Sequence, residues 1–314
     1  MKIAIIGAGI CGLYLGWKLA ERGEDVTIFE KKEKIGKEVC SGLVSERILE
    51  FIPESKNLIK NRIEYCLIHF PGRTLKIKFS KKFFVMSHYE LDNLVADLAK
   101  KSGAKINLNQ FFRALPEGFD RIIGCDGAVS LVRKNLKLPE PKFSLGIQGF
   151  IACPAPSERS EDWCGVETWP TESGFIWKIP RGDETEYGII EKPEKAKEIF
   201  NEFLKEKKIS LGKINSALIP QGLILPQDEK ITLCGDALGL TKPWSGGGVI
   251  WSLTAATLLL KNFSDFLKYQ KELKRFFLQQ ITLSKIAKKL VYFLGFKIPW
   301  IIPKEFKIDG DFLF

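Results

Sequence analysis

The chain has 314 residues, of which 45% are hydrophobic and 11% aromatic, enough to bury one large core or two interleaved ones. Its formal net charge is +10. Its seven cysteines lack short paired spacings, which is typical of a reducing cytoplasm and of neither a disulfide framework nor a zinc site. We therefore predict no metal site. A membrane span is not predicted either, because no apolar run approaches the length of about 18 residues that it needs.

The N-terminal segment predicts a strand, a helix and a second strand around a glycine-rich turn. An apolar run ends at Ile6, a helix opens within Gly7-Ala8-Gly9-Ile10-Cys11-Gly12, and the strand Val26–Phe29 precedes Glu30. Gly7 permits the tight turn, Gly9 lets the backbone approach a pyrophosphate, and Gly12 lets the helix pack on the strand. Glu30 stands where an acid binds the ribose hydroxyls of a dinucleotide. We predict a dinucleotide site that includes Cys11 in the first turn of the helix.

The middle of the chain predicts a hairpin, a helix and a second glycine segment. Residues 63–79 are typical of a hairpin that turns at Pro71-Gly72, and residues 87–104 of a helix, followed by a strand through Ile106 and Leu108. A short connection over 109–122 then leads to Gly124-Cys125-Asp126-Gly127. We expect Asp126 and Gly127 to contact the cofactor.

The third part predicts a sheet and a third glycine segment. Aromatic and β-branched residues alternate over 143–190, which indicates antiparallel strands, and a helix follows over 193–207. The strand 231–234 delivers Gly235-Asp236, and Gly246, Gly247 and Gly248 precede a helix that begins near Val249. The positive end of that helix can face a flavin ring, and Asp236 can hold ribityl hydroxyls. The three glycine segments together predict FAD.

The chain resembles the FAD-dependent group of aromatic hydroxylases, flavin halogenases and geranylgeranyl reductases, and the last of these most. The similar segments are residues 37–45, around Cys40; residues 174–180, close to an aromatic motif of those reductases; and Pro220 with Gly222. The resemblance implies an α/β fold in which a Rossmann-like FAD-binding domain (1–48, 83–137 and 221–260) is interleaved with an antiparallel-sheet substrate domain (49–82 and 138–220). A C-terminal helical segment covers 261–314. The connection over 109–122 is shorter than in most relatives.

The resemblance also implies roles for the Cys40 loop. Cys40 would lie against the flavin together with Ser41 and Gly42, and its thiol would either modulate the ring or donate a proton; a purely structural cysteine is the alternative. His88 stands where relatives usually have an arginine. We favour a cofactor contact or a helix cap for His88 over a general acid.

The aromatic candidates are assigned to the substrate. Phe175 and Trp177 are interpreted as walls of the substrate cavity, with core packing as the alternative, and Phe175 replaces a tyrosine of the family motif. Trp244 can cover the edge of the flavin. The two-tryptophan motif and the lysine arrangement of halogenases are missing from the sequence.

The basic C-terminal segment has two interpretations. Nine basic residues lie over 261–297 against two acidic ones, with apolar residues at helical spacing and Ile298-Pro299-Trp300-Ile301 after them. This pattern is typical of a helix on the inner face of an anionic membrane, with contact through 261–302. A helix packed on the FAD domain with a solvated lysine face fits equally. No RNA-binding motif accompanies the charge, so nucleic acid is not a predicted partner.

The predicted function is FAD-dependent reduction of isoprenoid double bonds in a geranylgeranyl lipid of archaeal type. An FAD-dependent monooxygenase or quinone-linked oxidoreductase is the first alternative, and a non-catalytic FAD electron-transfer or binding protein is the second. The electron donor stays open between NAD(P)H, which would bind transiently because a second fingerprint is absent from the sequence, and an acidic ferredoxin attracted by the basic surface.

Overall fold

The computed structural model describes residues 1–37, 39–152 and 164–313. Glu38 of the Cys40 loop, part of the predicted substrate segment 138–220 and the last residue of the C-terminal segment lie outside the described residues. The described residues form two sheets, one parallel and one mixed, with helices packed on the parallel sheet and along the junction between the two.

The parallel sheet contains the predicted βαβ unit. Its strands are β1 (Lys2–Ile6), β2 (Asp25–Phe29), β6 (Lys105–Asn107), β7 (Arg121–Gly124) and β13 (Ile231–Leu233). Their spatial order is β13-β7-β1-β2-β6, and every neighbouring pair is parallel. The sheet is therefore doubly wound, so that the carboxyl ends of β1, β7 and β13 lie at one edge, where such sheets bind ligands.

Helices cover this sheet and bury the largest core. They are α1 (Ile10–Ala20), α3 (His88–Lys101), α4 (Leu131–Asn135) and α6 (Val249–Lys261). Helix α1 packs against α3 and α6, and it is buried almost all round, as its apolar sequence requires. The helix predicted to begin near Val249 does begin there, directly after Gly248.

The second sheet is mixed rather than purely antiparallel. Its strands are β3 (Leu43–Ser45), β4 (Ile59–Phe70), β5 (Arg73–Met86), β8 (Lys142–Ala152), β9 (Gly165–Pro170), β10 (Phe175–Arg181), β11 (Glu184–Glu191), β12 (Asn215–Gln221) and β14 (Glu305–Ile308). Most neighbouring strands pair antiparallel, but β4 pairs parallel with β9, and β14 parallel with β5. The hairpin of β4 and β5 turns at Pro71-Gly72 as predicted, but its strands are longer than predicted. The remaining helices of this part are α2 (Ile48–Phe51) and α5 (Pro193–Glu206).

The division into domain segments stays a prediction. The strands do alternate between the two sheets along the chain, as an interleaved arrangement requires. Residues 43–45, placed in the first FAD-binding segment by sequence, pair with β5 of the mixed sheet.

The C-terminal segment is one long helix followed by a short strand. Helix α7 (Phe266–Lys297) begins after a turn that separates it from α6, and β14 then joins the mixed sheet. The first half of α7 buries Phe266, Leu273 and Phe277, whereas Ile286, Leu290 and Phe293 in the second half are exposed. The first half of α7 is thus packed on the core, whereas the membrane contact of the segment stays a prediction. Among the described residues, the helices are too short or too polar to cross a membrane.

Candidate functional site

One cavity of about 1050 Å³ lies between the two sheets, and it collects most of the predicted site residues. The predicted residues that line it are Gly7, Gly9, Cys11, Glu30, Cys40, Ser41, His88, Asp126, Gly127, Asp236, Gly246, Gly247, Gly248, Val249, Phe175, Trp177 and Trp244. Gly12 and Gly42 are not among the residues that line it. A Cβ atom at Gly12 would overlap the carbonyl oxygen of Gly7, and one at Gly42 would overlap that of Met86. These two glycines permit close backbone packing.

The glycine segments at the edge of the parallel sheet leave room for a dinucleotide. A Cβ atom at Gly9 or at Gly127 would meet no other atom within 4 Å, so both positions face open space. Gly9 immediately precedes α1, whose first backbone N–H groups have no helical acceptor. Backbone N–H groups at a helix N-terminus bind phosphate. This end of the cavity therefore fits the pyrophosphate of FAD.

Two predicted acids also make bonds within the protein. Glu30 accepts hydrogen bonds from the N–H groups of Ala8, at 2.8 Å, and Lys32, at 3.0 Å. Asp126 accepts from the N–H groups of Leu131 and Val132 through Oδ2. Its other oxygen, Oδ1, is buried without a hydrogen-bond partner. Burial raises the pKa of Asp126, against the effect of these hydrogen bonds. An orphaned oxygen beside the cavity is what a hydroxyl of a bound nucleotide would satisfy.

Asp236 lies at the other end of the predicted cofactor path. It belongs to a short 3-10 helix after β13, and Gly248 at the start of α6 approaches it so closely that a Cβ there would lie 2.9 Å from Asp236 Oδ1. The ammonium of Lys37 is 3.6 Å from Asp236 Oδ2. The N-terminus of α6, with its partial positive charge, therefore meets the Cys40 loop at the cavity wall.

The Cys40 loop is joined to α3 through His88 and Asp92. His88 Nε2 lies 3.4 Å from Asp92 Oδ1, and Asp92 Oδ2 accepts a hydrogen bond of 3.0 Å from the N–H of Lys37. The N–H of Gly42 lies 3.4 Å from Cys40 Sγ. His88 does not cap the helix, because Ser87 does so by accepting from the N–H of Glu90. The capping role predicted as one possibility for His88 is therefore wrong.

The charges of these groups depend on one another. Burial tends to raise the pKa of Cys40, but His88, Lys37 and the N–H of Gly42 outweigh it and lower that pKa from 9.0 to about 6. Burial likewise tends to lower the pKa of His88, but Asp92 and Cys40 raise it from 6.5 to about 10. At neutral pH the cavity wall therefore carries a thiolate beside an imidazolium.

The remainder of the cavity is lined mostly by apolar residues. Phe175 and Trp177 line it from β10 with their ring centroids 6.0 Å apart, and Trp244 lines it from the loop before α6. The other apolar lining residues come from both sheets and from α7, and they include Leu43, Ile68, Phe70, Ile77, Phe79, Val166, Ile179, Ile190, Ile219 and Val291. Such a lining suits an apolar ligand, because the apolar area that it would bury favours binding.

Sequence reasoning missed several residues of the site. Lys288 and Tyr292 of α7 line the cavity, and their side chains donate hydrogen bonds to Ser173 O, at 2.8 Å, and Gly174 O, at 2.6 Å. The C-terminal tail adds Ile308 and Asp311. Contacts between residues that are so far apart in the sequence leave no local sequence pattern.

The tail is anchored beside the cavity by buried charges. Lys242 Nζ lies 3.0 Å from Asp311 Oδ1, and Arg47 lies 3.2 Å from Asp311 Oδ2. The indole N–H of Trp251 donates to the carbonyl oxygen of Asp311 at 2.9 Å. The tail is thereby fixed against the loop that precedes α6.

Comparison with known proteins gives digeranylgeranylglycerophospholipid reductases among the relatives in sequence and a wider set of proteins with a similar fold. A family described as an NAD(P)-binding Rossmann-like domain matches residues 5–47. A digeranylgeranylglycerophospholipid reductase of Methanococcus vannielii is 22% identical, over 92% of this chain and 87% of its own. The chain is similar to the geranylgeranyl reductases. The resemblance predicted from the sequence is thus confirmed.

Solved structures confirm the fold. A geranylgeranyl bacteriochlorophyll reductase-like protein of Thermoplasma acidophilum superposes with a TM-score of 0.77 at 17% identity, over 92% of this chain and 86% of its own. A 2-methyl-3-hydroxypyridine-5-carboxylic acid oxygenase superposes with a TM-score of 0.72 at 15% identity, over 95% and 93%. The predicted fold, a Rossmann-like domain interleaved with a second sheet and followed by C-terminal helices, is the fold of these oxidoreductases.

Proposed function

We propose that this chain is an FAD-dependent oxidoreductase that reduces isoprenoid double bonds in a polyprenyl lipid of the geranylgeranyl type. The observation that carries the proposal is the continuity of one cavity, from the glycine turns at the parallel sheet, past Cys40, into an apolar compartment. The name of the Methanococcus vannielii relative supports the lipid class. Burial of apolar surface contributes about 0.8 kcal/mol per methylene. This is enough to bind such a chain without polar residues that recognise a head group.

The residues that would hold FAD are those of the three glycine segments. The N–H groups around Gly9 would bind the pyrophosphate, Glu30 the adenosine ribose, and Asp236 the ribityl hydroxyls. When bound, the flavin supplies the hydride and the Cys40 loop stands at the cavity wall beside the N-terminus of α6.

Reduction of an isolated double bond also requires a proton for the second carbon and a cavity that keeps water out. His88 carries the proton beside the Cys40 thiolate, and Asp92 holds the imidazole in its charged form. We assign His88 as the group that passes this proton to Cys40, and Cys40 as the group that faces the reacting carbon and delivers the proton to it. Trp177 and Phe175 line the same cavity, and their rings would help to keep water out of it.

The proposal is tested by anaerobic single turnover. The purified protein is expected to be yellow with FAD, and its chemically reduced form should be reoxidised by a geranylgeranyl lipid in the absence of oxygen. Cys40→Ser should keep FAD and slow this step by about tenfold or more, a loss of at least about 1.4 kcal/mol of transition-state stabilisation. Colourless protein that does not take up added FAD would refute the cofactor.

The same experiment separates the alternative functions. Oxygen consumption stimulated by a substrate, without anaerobic lipid reduction, would identify a monooxygenase; one structurally similar protein is an oxygenase by name. Turnover of neither kind would identify an electron carrier. Reduction of the bound flavin by NAD(P)H or by a reduced ferredoxin identifies the electron donor.

We also propose that the second half of α7 contacts a membrane surface from the cytoplasmic side. Leu290, Phe293 and Trp300 are 55%, 58% and 71% exposed, although they are apolar. Lysines accompany them on the same segment, for example Lys285 and Lys289. An apolar face flanked by basic residues binds anionic lipid surfaces. Contact there would place the cavity next to the membrane that contains its lipid substrate.

A further inference from the structure

A buried carboxylate lies between the substrate wall and the Cys40 loop. Glu186 lies in β11 between Thr185 and Tyr187. Its side chain is fully buried, and it does not itself line the cavity. Its Oε1 accepts a hydrogen bond of 2.9 Å from the indole N–H of Trp177, and its Oε2 accepts one of 2.8 Å from Arg181. A charge without solvent must be held by partners of this kind.

Arg181 continues the connection to the Cys40 loop. Its Nη1 donates to the carbonyl oxygen of Cys40 at 3.1 Å and lies 3.4 Å from that of Ser41. The same nitrogen carries the ion pair with Glu186, so the carboxylate fixes the direction from which the guanidinium meets the loop. The guanidinium also lies over the ring of Phe150, 5.4 Å from its centroid.

Trp177 lies at the other end of this series of contacts, where it is held in one position. It pairs across the sheet with Gly188, where a Cβ atom would overlap its indole ring. The strand register puts Ile179, a lining residue, directly opposite Glu186, which places this carboxylate on the cavity side of the sheet beneath the side chains of the wall. Any displacement of the indole by a substrate must therefore move Glu186 or break its hydrogen bond.

We propose that Glu186 is a positioning residue that couples the Trp177 wall of the substrate cavity to the backbone of the Cys40 loop through Arg181. The effect of this coupling on turnover rests on the proposed function. The coupling itself does not depend on the identity of the substrate. The sequence of contacts is Trp177, Glu186, Arg181 and the Cys40 carbonyl.

The charged groups around the carboxylate agree with this role. Burial raises the pKa of Glu186 to about 7, against the effects of Arg181 and Trp177, and Cys40 raises it further. The titratable and charged groups that face the Cys40 loop from its neighbours are Arg181 on β10, His88 and Asp92 on α3, Asp236 before α6, and Lys37 within the loop itself. The distances from Cys40 to these groups determine how much of its thiol is ionised.

The test measures Cys40 directly. Iodoacetamide alkylation of the Cys40-containing peptide is followed by mass spectrometry as a function of pH in Glu186→Gln, with FAD content measured in parallel. Loss of the Glu186 charge by itself would lower the midpoint of the pH profile, because the two anions repel each other. We nevertheless expect the midpoint to rise by about one unit, which is about tenfold less thiolate below it, because the released loop moves Cys40 away from His88, the group that stabilises its thiolate most. Glu184→Gln is the matched control, since Glu184 lies on the same strand and is exposed. Its profile should equal that of the wild type.

A second variant keeps the inference testable if Glu186→Gln does not fold. Arg181→Lys retains a positive charge beside Glu186, but the lysine side chain is shorter, so we expect its ammonium not to reach both acceptors that Nη1 of Arg181 contacts, the carboxylate and the Cys40 carbonyl. It should shift the alkylation profile in the same direction. An unchanged profile in either folded variant overturns the coupling. If the wild type reduces no polyprenyl lipid but the profiles shift, the proposed substrate is wrong and the coupling stands.

Discussion

Replacement of His88 by asparagine should convert Cys40 from a thiolate into a thiol at neutral pH. His88 is the first of the groups that lower the pKa of Cys40 from 9.0 to about 6, against the effect of burial. The shift of three units, at about 1.36 kcal/mol each, corresponds to about 4 kcal/mol in favour of the thiolate. With a pKa of about 6 roughly nine-tenths of Cys40 is ionised at pH 7, and with a pKa of 9 only about one part in a hundred is.

The assay is alkylation of Cys40 by iodoacetamide at pH 7, because the thiolate is the reacting form. His88→Asn should slow it by about two orders of magnitude. The exposed Cys164 provides an internal control in the same sample, since its alkylation should not change. Rapid alkylation of Cys40 in His88→Asn, equal to that in the wild type, would refute the ion pair with His88 and with it the assignment of His88 as the proton reservoir.

Four other results are expected. Glu30→Ala should raise the dissociation constant of FAD by about tenfold, measured by fluorescence titration, because it removes a charged acceptor. Asp311→Asn should lower the free energy of unfolding by about 3 to 5 kcal/mol in a denaturant titration, because Lys242 stays buried without its anionic partner. Leu290→Glu should weaken binding to anionic vesicles and leave FAD content unchanged; equal vesicle binding would contradict the membrane contact. The lowered pKa of Cys40 stabilises the folded state at high pH, and this contribution is lost as the pH falls through about 6, so the stability difference between wild type and Cys40→Ser should shrink there.

Local signals predicted the elements that hold the cofactor site. The glycines and the acid of the βαβ unit specify a turn and a helix within 30 residues, and Gly248 directly precedes the helix that begins at Val249. The turn at Pro71-Gly72 depends on two neighbouring residues. Each of these features is determined by conformations of the backbone that few residue types can adopt.

Features that depend on distant partners were not predicted. Strand β14 pairs with β5 although more than 200 residues separate them, and its four residues are too few to show an alternation. The parallel pairing of β4 with β9 has no local signal either. Glu186 did carry a signal, because an acid within a buried strand requires a partner, but the sequence does not show that this partner is Arg181.

Helix α7 unites the cavity with the exposed apolar surface. Val291 and Tyr292 line the cavity, whereas Leu290 and Phe293, their immediate neighbours, are exposed. Successive residues of a helix are rotated by about 100°, so these four side chains surround the helix within about one turn. A lipid chain that passes from the outer surface to the cavity therefore needs to travel only around one helix of about 10 Å diameter, in contact with apolar side chains on both sides. The basic residues on the same helix would hold an anionic bilayer at this point. On the proposed function, two apolar surfaces would explain the amphipathic pattern of α7, one that would bind the substrate inside and one that would receive it from outside.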